Sequence, residues 1–236
     1  MALNEPYIRL KRQLITGMNT RGHPQLIGPT QVVKALNVDL TSIGRNSKRS
    51  GFATAANDVS DLDFTNLIRF NPTGGSDIIL GMEGTNLRKW TGSGNWSSAI
   101  DSGFTSNLYT AFIPGNNICL ISNGTDNVHS IDNADSVTDE LDTNTDPPKG
   151  TVGVYFKDRY LIALNDLLYF SDIASTTFDR TTNVIKINIG DNSAGEITNL
   201  VPFRNNELLI FKEDSTWLLD VADPTPSNWV LSPTGS

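Results

Sequence analysis

This chain of 236 residues has very few of the side chains that most enzymes use for chemistry. It contains one cysteine and two histidines. A single cysteine excludes a disulfide within the chain, and Cys119 lies in the apolar run Ile118–Ile121, which predicts a buried thiol rather than a nucleophile. His23 and His129 have no cysteine or histidine at ligand spacing, so the sequence predicts no zinc site.

Long apolar runs are missing as well. No stretch approaches the length of a membrane span. The N-terminal residues Glu5, Arg9, Lys11 and Arg12 leave no uninterrupted apolar segment of the kind that a signal peptide needs. We therefore expect a soluble protein that is made in the cytoplasm.

Motifs of catalysis and cofactor binding are absent too. The chain has no Gly-x-Ser-x-Gly nucleophile elbow, no P-loop and no dinucleotide-binding glycine pattern. Asp142, Asn144 and Asp146 resemble the start of a calcium loop. However, Pro147 stands where that loop needs glycine, and Gly153 stands where it needs its closing glutamate. We expect no catalytic residue, no metal and no cofactor.

Four tryptophans remain as candidates for ligand contact. Trp90 and Trp217 occupy the same place in two predicted hairpins, where packing between sheets needs bulk, and we assign both to the core. Trp96, between Gly94 and Ser97, is the one that we retain as a candidate contact for a ligand such as a sugar.

Charge is distributed unevenly along the chain. Residues 1–52 hold eight Lys/Arg and two acids, a net of +6, whereas residues 53–236 hold ten Lys/Arg and twenty-four acids, a net of −14. The acidic part disfavours direct binding of nucleic acid, because it would repel the phosphates. The basic part has too few apolar residues to form a core, so we predict an extended arm with one short helical turn at residues 30–36.

We expect this arm to pack on a blade edge, a neighbouring subunit or another protein. Leu36 and Val38 would fill a hydrophobic groove. Arg45, Lys48 and Arg49 would meet acidic surface.

What the chain does contain is a hairpin that recurs four times. The copies read IILGMEGTNLRKW (78–90), ICLISNGTDNVHSI (118–131), YLIALNDLLYFSD (160–172) and LLIFKEDSTWLLD (208–220). Each copy follows another short apolar run, and the copies begin 40, 42 and 48 residues apart. Three or four strands at this period predict an all-β chain with about four β-propeller blades in residues 53–236.

The repeat also predicts which residues correspond. We expect Ile79, Leu120, Leu161 and Leu209 at equivalent strand positions of the four blades. The alternative is a β-sandwich of regular hairpins, which predicts no fixed period.

Several short motifs resemble one protein family. They are VYFKDRYLIAL (154–164), LLYFSD (167–172), VPFRNNELLIFKEDSTWLL (201–219), and in the arm Gly17-Met18-Asn19, Asn37-Val38-Asp39 and Lys48-Arg49-Ser50-Gly51. Over about residues 15–221, the chain resembles the propeller-bearing tail proteins of short-tailed bacteriophages, of the tail tubular protein B or nozzle type. Members of that family are usually longer, with further blades.

The resemblance implies a structural role in the virion tail. Several copies, typically six, would form a ring below the head-tail adaptor, and DNA would pass through it only as cargo. Two alternatives stay open. One is a tail-tip or receptor-binding propeller with a groove near Trp96, and the other is a propeller glycosidase, which needs two convergent carboxylates.

Overall fold

The computed structural model describes residues 63–187, 195–213 and 215–234, together with four two-residue strands nearer the N-terminus. The chain divides into two compact units, Met1–Thr54 and Ala55–Ser236.

The first unit contains two short strand pairings. Strands β1 (Gly17–Met18) and β2 (Gln31–Val32) pair in parallel, and β3 (Val38–Asp39) pairs with β4 (Ser47–Lys48) in antiparallel. The helical turn expected at residues 30–36 is therefore wrong at its beginning, because Gln31–Val32 pairs as a strand with Gly17–Met18.

The residues predicted to dock this arm are only partly described. Val38 and Lys48 lie directly opposite one another in the β3–β4 pair. Leu36, Arg45 and Arg49 lie outside the described residues. The docking surface expected for them stays a prediction.

The second unit is a β-propeller of four blades, each an antiparallel sheet of four consecutive strands. Blade 1 contains β5 (Phe64–Phe70), β6 (Ile78–Glu83), β7 (Asn86–Trp90) and β8 (Asp101–Ser102). Blade 2 contains β9 (Ala111–Gly115), β10 (Ile118–Ser122), β11 (His129–Ile131) and β12 (Val137–Asp139). Blade 3 contains β13 (Val152–Phe156), β14 (Arg159–Leu164), β15 (Leu167–Phe170) and β16 (Val184–Lys186). Blade 4 contains β17 (Ile197–Arg204), β18 (Glu207–Lys212), β19 (Thr216–Asp220) and β20 (Val230–Pro233).

Helix is nearly absent from the described residues, where Pro226–Asn228 forms one 3₁₀ turn. None of the described residues belongs to a helix with the length and hydropathy needed to cross a membrane.

Tight turns join the first two strands of blades 2 and 3. Asn116 and Asn117 have φ of 41° and 62°, and Lys157 and Asp158 have φ of 51° and 58°. Positive φ at both central residues gives the turn that matches the twist of a hairpin, and asparagine and aspartate tolerate it best among residues with a side chain. Blade 1 instead uses the longer connection 71–77.

A repeat in the strand register runs through all four blades. In each blade a β-branched residue of the first strand lies opposite a leucine of the second: Ile68–Leu80, Ile113–Leu120, Val154–Leu161 and Val201–Leu209. A threonine stands three residues before each β-branched residue, at Thr65, Thr110, Thr151 and Thr198.

The expected equivalence of Leu120, Leu161 and Leu209 is thus confirmed, with all three on the second strand of their blades. The assignment of Ile79 is wrong by one residue, since Leu80 occupies the corresponding position. The error comes from where the predicted copies begin. Leu80, Leu120, Leu161 and Leu209 are each the third residue of their strands, but the predicted hairpins of blades 3 and 4 begin at the second residue.

Three apolar cores fill the spaces between consecutive blades. Each combines the leucine of one blade with an isoleucine of the next: Leu80 with Ile121, Leu120 with Ile162, and Leu161 with Ile210. All six side chains are at most 1% exposed. Burial of each contributes about 2 kcal/mol from the hydrophobic effect, so these cores hold neighbouring blades together.

Each sheet therefore has two faces. We call the face toward the next blade in the sequence the forward face, and the face toward the preceding blade the back face. The leucine of the register repeat lies on the forward face, and the isoleucine next to it lies on the back face, since neighbours in a strand point to opposite sides.

Candidate functional site

The first strands of all four blades line one central cavity of about 450 Å³. Leu67, Phe112, Gly153 and Asn199 face it, one from each blade. The register repeat places the beginning of every first strand at the same height. In blade 4 the residue equivalent to Leu67 is Leu200, but its neighbour Asn199 lines the cavity, next to an irregularity in the strand pairing between Ile197 and Asn199. The cavity is thus the place where a propeller of this kind would hold a small ligand.

The lining of this cavity is uncharged. It contains no carboxylate, histidine, cysteine, lysine or arginine, and Tyr109 is its one titratable group. The amide of Asn66 is already committed to the backbone, since Oδ1 accepts from the Leu67 N–H at 2.8 Å and Nδ2 donates to the Thr110 carbonyl at 2.6 Å. The described lining therefore offers tyrosine and threonine hydroxyls, but no carboxylate, imidazole or thiol beside them to act as a catalytic partner.

A second candidate is a polar cluster between blades 1 and 2. Nδ1 of His129 lies 2.6 Å from Oδ2 of Asp101 and 2.6 Å from Oδ1 of Asp139. His129 and Asp139 are direct partners across β11 and β12, whereas Asp101 comes from β8 of blade 1. The side chains of His129 and Asp101 are only 8% and 13% exposed, so the contact is part of the interface between the blades.

Both carboxylates of this cluster contact the same ring nitrogen, Nδ1 of His129, which limits the hydrogen bonds that the cluster can make. Nδ1 carries at most one hydrogen and can donate a good hydrogen bond to only one of the two carboxylates. A protonated ring would attract both. The three ligand atoms lie within 4.8 Å of one another, so they could also hold a divalent cation, which would take the place of the proton on Nδ1.

Cys119 is confirmed as a buried core residue. It is 0% exposed, and burial raises the pKa of its thiol to about 12. A thiol in this state is neither a nucleophile nor a metal ligand at neutral pH, because both roles need the thiolate.

Tyr160 joins blades 2 and 3 through its hydroxyl. The hydroxyl contacts the carbonyl of Gly115 and donates to the carbonyl of Ile118 at 2.7 Å. Burial raises the pKa of this phenol, so it remains a donor over the whole neutral range. Its role in the structure is to fix one blade against the next.

The segment that resembles a calcium loop is held by other contacts. Asp142 pairs with Lys149 at 3.1 Å and with Arg180 at 2.7 Å. Asp146 accepts from the backbone N–H of Thr143 at 2.8 Å. The carboxylates are thus used to tie this loop to itself and to the connection that carries Arg180.

Trp96 is part of an aromatic cluster on blade 1. Its ring centroid lies 4.3 Å from that of Phe64 and 6.4 Å from that of Trp90. The cluster lies beside Gly81, where an added Cβ would come within 2.7 Å of Phe64 and Leu67. One side of Trp96 is therefore occupied by packing, which leaves its half-buried edge for any ligand.

Sequence reasoning missed the cluster of Asp101, His129 and Asp139. The three residues are 28 and 10 positions apart and match no linear ligand motif. Two of them lie in the outermost strands β8 and β12, which are short and polar, as sheet edges commonly are. The register repeat was the available signal, since it would have placed His129 opposite Ile121 and beside blade 1.

No protein-family model and no curated protein matches this chain. Among solved structures, it is similar to the computationally designed Ika4 protein, at 13% identity and a TM-score of 0.50, over 73% of this chain and 100% of that one. It is also similar to BamB from Moraxella catarrhalis, at 12% identity and a TM-score of 0.39, over 68% of this chain.

A further similar structure is the WD40 domain of Pan2 from Neurospora crassa, at 10% identity and a TM-score of 0.40, over 73% of this chain and 65% of that one. The chain spans about half the length of BamB, of which 49% is covered. At these identities the likeness concerns the fold alone. The four sheets of four strands and their common central cavity make the chain a β-propeller.

Proposed function

We propose that this chain is a structural protein of a bacteriophage virion, a tail propeller of the tubular or nozzle type. It would lie below the head-tail adaptor in a homo-oligomeric ring that forms part of the DNA ejection conduit. It would act without catalysis and without a bound cofactor.

The observation that carries the proposal is where the resembling motifs lie. VYFKDRYLIAL contains the β13–β14 hairpin of blade 3, and VPFRNNELLIFK lies in the β17–β18 hairpin of blade 4. The two motifs thus occupy the same element, the inner hairpin beside the cavity, in consecutive blades. They are repeated parts of the propeller rather than chance matches in loops.

Charge and cavity size are consistent with this role. The net charge of −14 on residues 53–236 would let DNA slide past without binding it. A cavity of about 450 Å³ is too small to admit duplex DNA. The conduit would therefore lie between copies of the protein, and the uncharged cavity would be a packing feature rather than a catalytic pocket.

The proposal is tested by locating the chain in purified phage particles. Cross-linking followed by mass spectrometry, with antibody labelling in electron microscopy, should place it between the head-tail adaptor and the tail tip. If the label lies at the distal tip, the protein is a tail-tip or receptor-binding propeller. If particles lack the chain, the virion role is wrong.

The basic arm supplies a second test, because the arm is proposed to clasp the neighbouring copy or the adaptor. Deletion of residues 1–52 should leave a folded protein that no longer assembles into the ring. Salt should weaken the assembly of the full chain in part, because it screens the attraction between Arg45, Lys48 and Arg49 and the acidic surface. The apolar contacts of the arm should not depend on salt. If the truncated chain assembles and melts like the full chain at low and high salt, the arm has no such role.

A further inference from the structure

The two ends of the four-blade array expose apolar residues at positions that the other blades use to pack together. Val201 on the forward face of blade 4 is 37% exposed, and Leu67 on the back face of blade 1, which also borders the central cavity, is 51% exposed. Among the described residues, no apolar core joins blade 4 to blade 1. The two residues therefore do not cover one another within the chain.

The forward face of blade 4 has the same pattern as three faces that are covered. Leu209 corresponds by register to Leu80, Leu120 and Leu161, which are 0%, 0% and 1% exposed. Leu209 itself is only half-buried, and its neighbours across the sheet, Val201 and Leu218, are also accessible. The forward face of blade 4 thus carries the same apolar pattern as the three forward faces that are buried.

The structure also shows what covers such a face. The residues that correspond to Val201 pack on those that correspond to Leu67. Ile113 fills the space that a Cβ on Gly153 would need. Ile68 and Phe112 share one core, and Val154 and Leu200 share another. Val201 and Leu67 are thus two halves of a contact that the molecule makes three times elsewhere.

We infer that a second copy of this chain completes this contact. The forward face of blade 4 in one copy, defined by Val201, Leu209, Phe211 and Leu218, would dock on the back face of blade 1 in the other, defined by Leu67, Ile79 and Trp90. Every copy carries both halves, so the contact can be made twice and closes in a two-fold dimer. Two sets of four blades give a ring of eight, within the usual range for propellers.

Charge does not oppose this docking. On blade 1, Arg69 pairs with Asp77 at 2.6 Å and Arg88 pairs with Glu83 at 2.8 Å. The centre of the facing surface on blade 4 is apolar. On blade 4, Glu207 and Asp220 lie opposite one another at the end of the same face, and Glu207 lies 3.4 Å from Arg204. The charged groups thus lie at the rim of the contact, and its centre buries apolar side chains.

The dimer does not depend on the proposed virion role, because it rests on the blade repeat alone. If the protein does not dimerise, the dimer inference fails but the virion role does not, because the labelling experiment tests that role separately. Three such pairs would supply the six copies that the family resemblance implies.

The experiment is sedimentation of the full chain over a wide range of concentration, with matched charge substitutions. We expect a dimer for the natural sequence. Leu209→Asp and Leu67→Asp should each weaken dimerisation about 100-fold or more, since each places a charge at the centre of the interface. Leu141→Asp, at a residue that is 78% exposed on a loop, is the control and should change nothing.

Mixing the two variants tests the head-to-tail arrangement. Leu209→Asp keeps an intact blade 1 and Leu67→Asp keeps an intact blade 4, so the mixture should form a heterodimer through one good contact. A natural sequence that is monomeric at about 100 μM would overturn the inference. So would a Leu67→Asp variant that dimerises normally, because blade 4 would then bind some other surface.

Circular dichroism shows whether each variant is folded. If a charge variant does not fold, a cysteine pair decides the question instead. Val201→Cys combined with Leu67→Cys should give a disulfide-linked dimer under mild oxidation, with the buried Cys119 unable to compete. Absence of a linked dimer in the folded double variant would also overturn the inference.

Discussion

Blades 2 and 4 present the same leucine in the same register with opposite exposure. Leu120 lies opposite Ile113 and is 0% exposed, whereas Leu209 lies opposite Val201, which is 37% exposed. Both faces carry a leucine opposite a β-branched residue in the same register, so the difference in exposure comes from the neighbouring sheet. Blade 3 covers the forward face of blade 2, and no described blade covers that of blade 4. Burial in this fold is a property of the pair of sheets rather than of the strand.

The largest expected effect compares these two leucines directly. Leu120→Ala should lower the free energy of unfolding by about 3 kcal/mol or more, because it leaves a cavity in a closed core. Leu209→Ala, measured at a concentration where the protein is monomeric, should cost less than about 1.5 kcal/mol, because water already reaches the site. Urea denaturation with an unchanged slope is the measurement. Equal losses would mean that the two faces are equally covered.

The next largest effect concerns the polar contact of His129 between blades 1 and 2. Blade 4 has no such contact, because Trp217 occupies the position that corresponds to His129. Asp101→Asn should destabilise the fold by about 2 kcal/mol, since it removes the buried carboxylate that Nδ1 of His129 contacts. Asp139→Asn should cost under about 1 kcal/mol, because that carboxylate is 64% exposed.

The sequence predicts no tightly bound metal, and this cluster is the place where that prediction can be tested. Elemental analysis of protein purified without chelator should find no stoichiometric zinc or calcium. A stoichiometric metal that is lost in Asp101→Asn would contradict the prediction and would make this cluster its site.

A smaller effect is expected at Tyr160, whose hydroxyl bonds across blades 2 and 3. The corresponding residue of blade 4 is Leu208, which has no hydroxyl. Tyr160→Phe should cost about 1–2 kcal/mol, since the carbonyl of Ile118 loses its donor. Burial raises the pKa of the phenol, so the loss should be constant between pH 6 and 9. Tyr169→Phe is the matched control and should be neutral. A loss that grows with pH would show that the hydroxyl ionises.

The smallest effect is the pH dependence of the loop that carries Asp142. Burial works against ionisation there, but hydrogen bonds from Arg180 and Lys149 outweigh it and hold the pKa of Asp142 below its usual value. A depressed pKa stabilises the fold above the ordinary carboxyl pKa, and the contribution is lost as the pH falls through the depressed value. Asp142→Asn should therefore cost under about 1 kcal/mol at pH 7. The variant and the natural protein should become alike in acid, as thermal melting between pH 2 and 7 would show.

Much of the propeller could be predicted from the sequence. The hairpins stand out because strands β6, β10, β14 and β18 are apolar and bounded by turn residues. Apolar residues on both faces make the second strand of each blade easy to recognise from the sequence. The prediction for blade 1 differs by one residue, Ile79 in place of Leu80, because the predicted hairpins do not all begin at the first residue of the second strand.

The outer strands and the polar cluster could not be predicted in the same way. Strand β12, Val137–Asp139, lies within a segment that composition marks as an acidic insertion. It pairs only on one side and faces solvent, so its residues carry little hydrophobic pattern. The contact between Asp101 and His129 joins two different sheets. The apolar periodicity of one strand does not show which residues of a neighbouring sheet will lie against it.

The order of strands within each sheet has a consequence for how the chain folds. Every blade consists of four strands that follow one another in the sequence, so each pairing joins segments that are close along the chain. Closing short loops costs little entropy, and folds rich in local contacts form quickly. As the chain leaves the ribosome, blade 1 can pair its strands before blade 2 is made, and each new sheet can condense on the one already formed. Among the four described blades, blade 4 would condense last, on the sheet of blade 3.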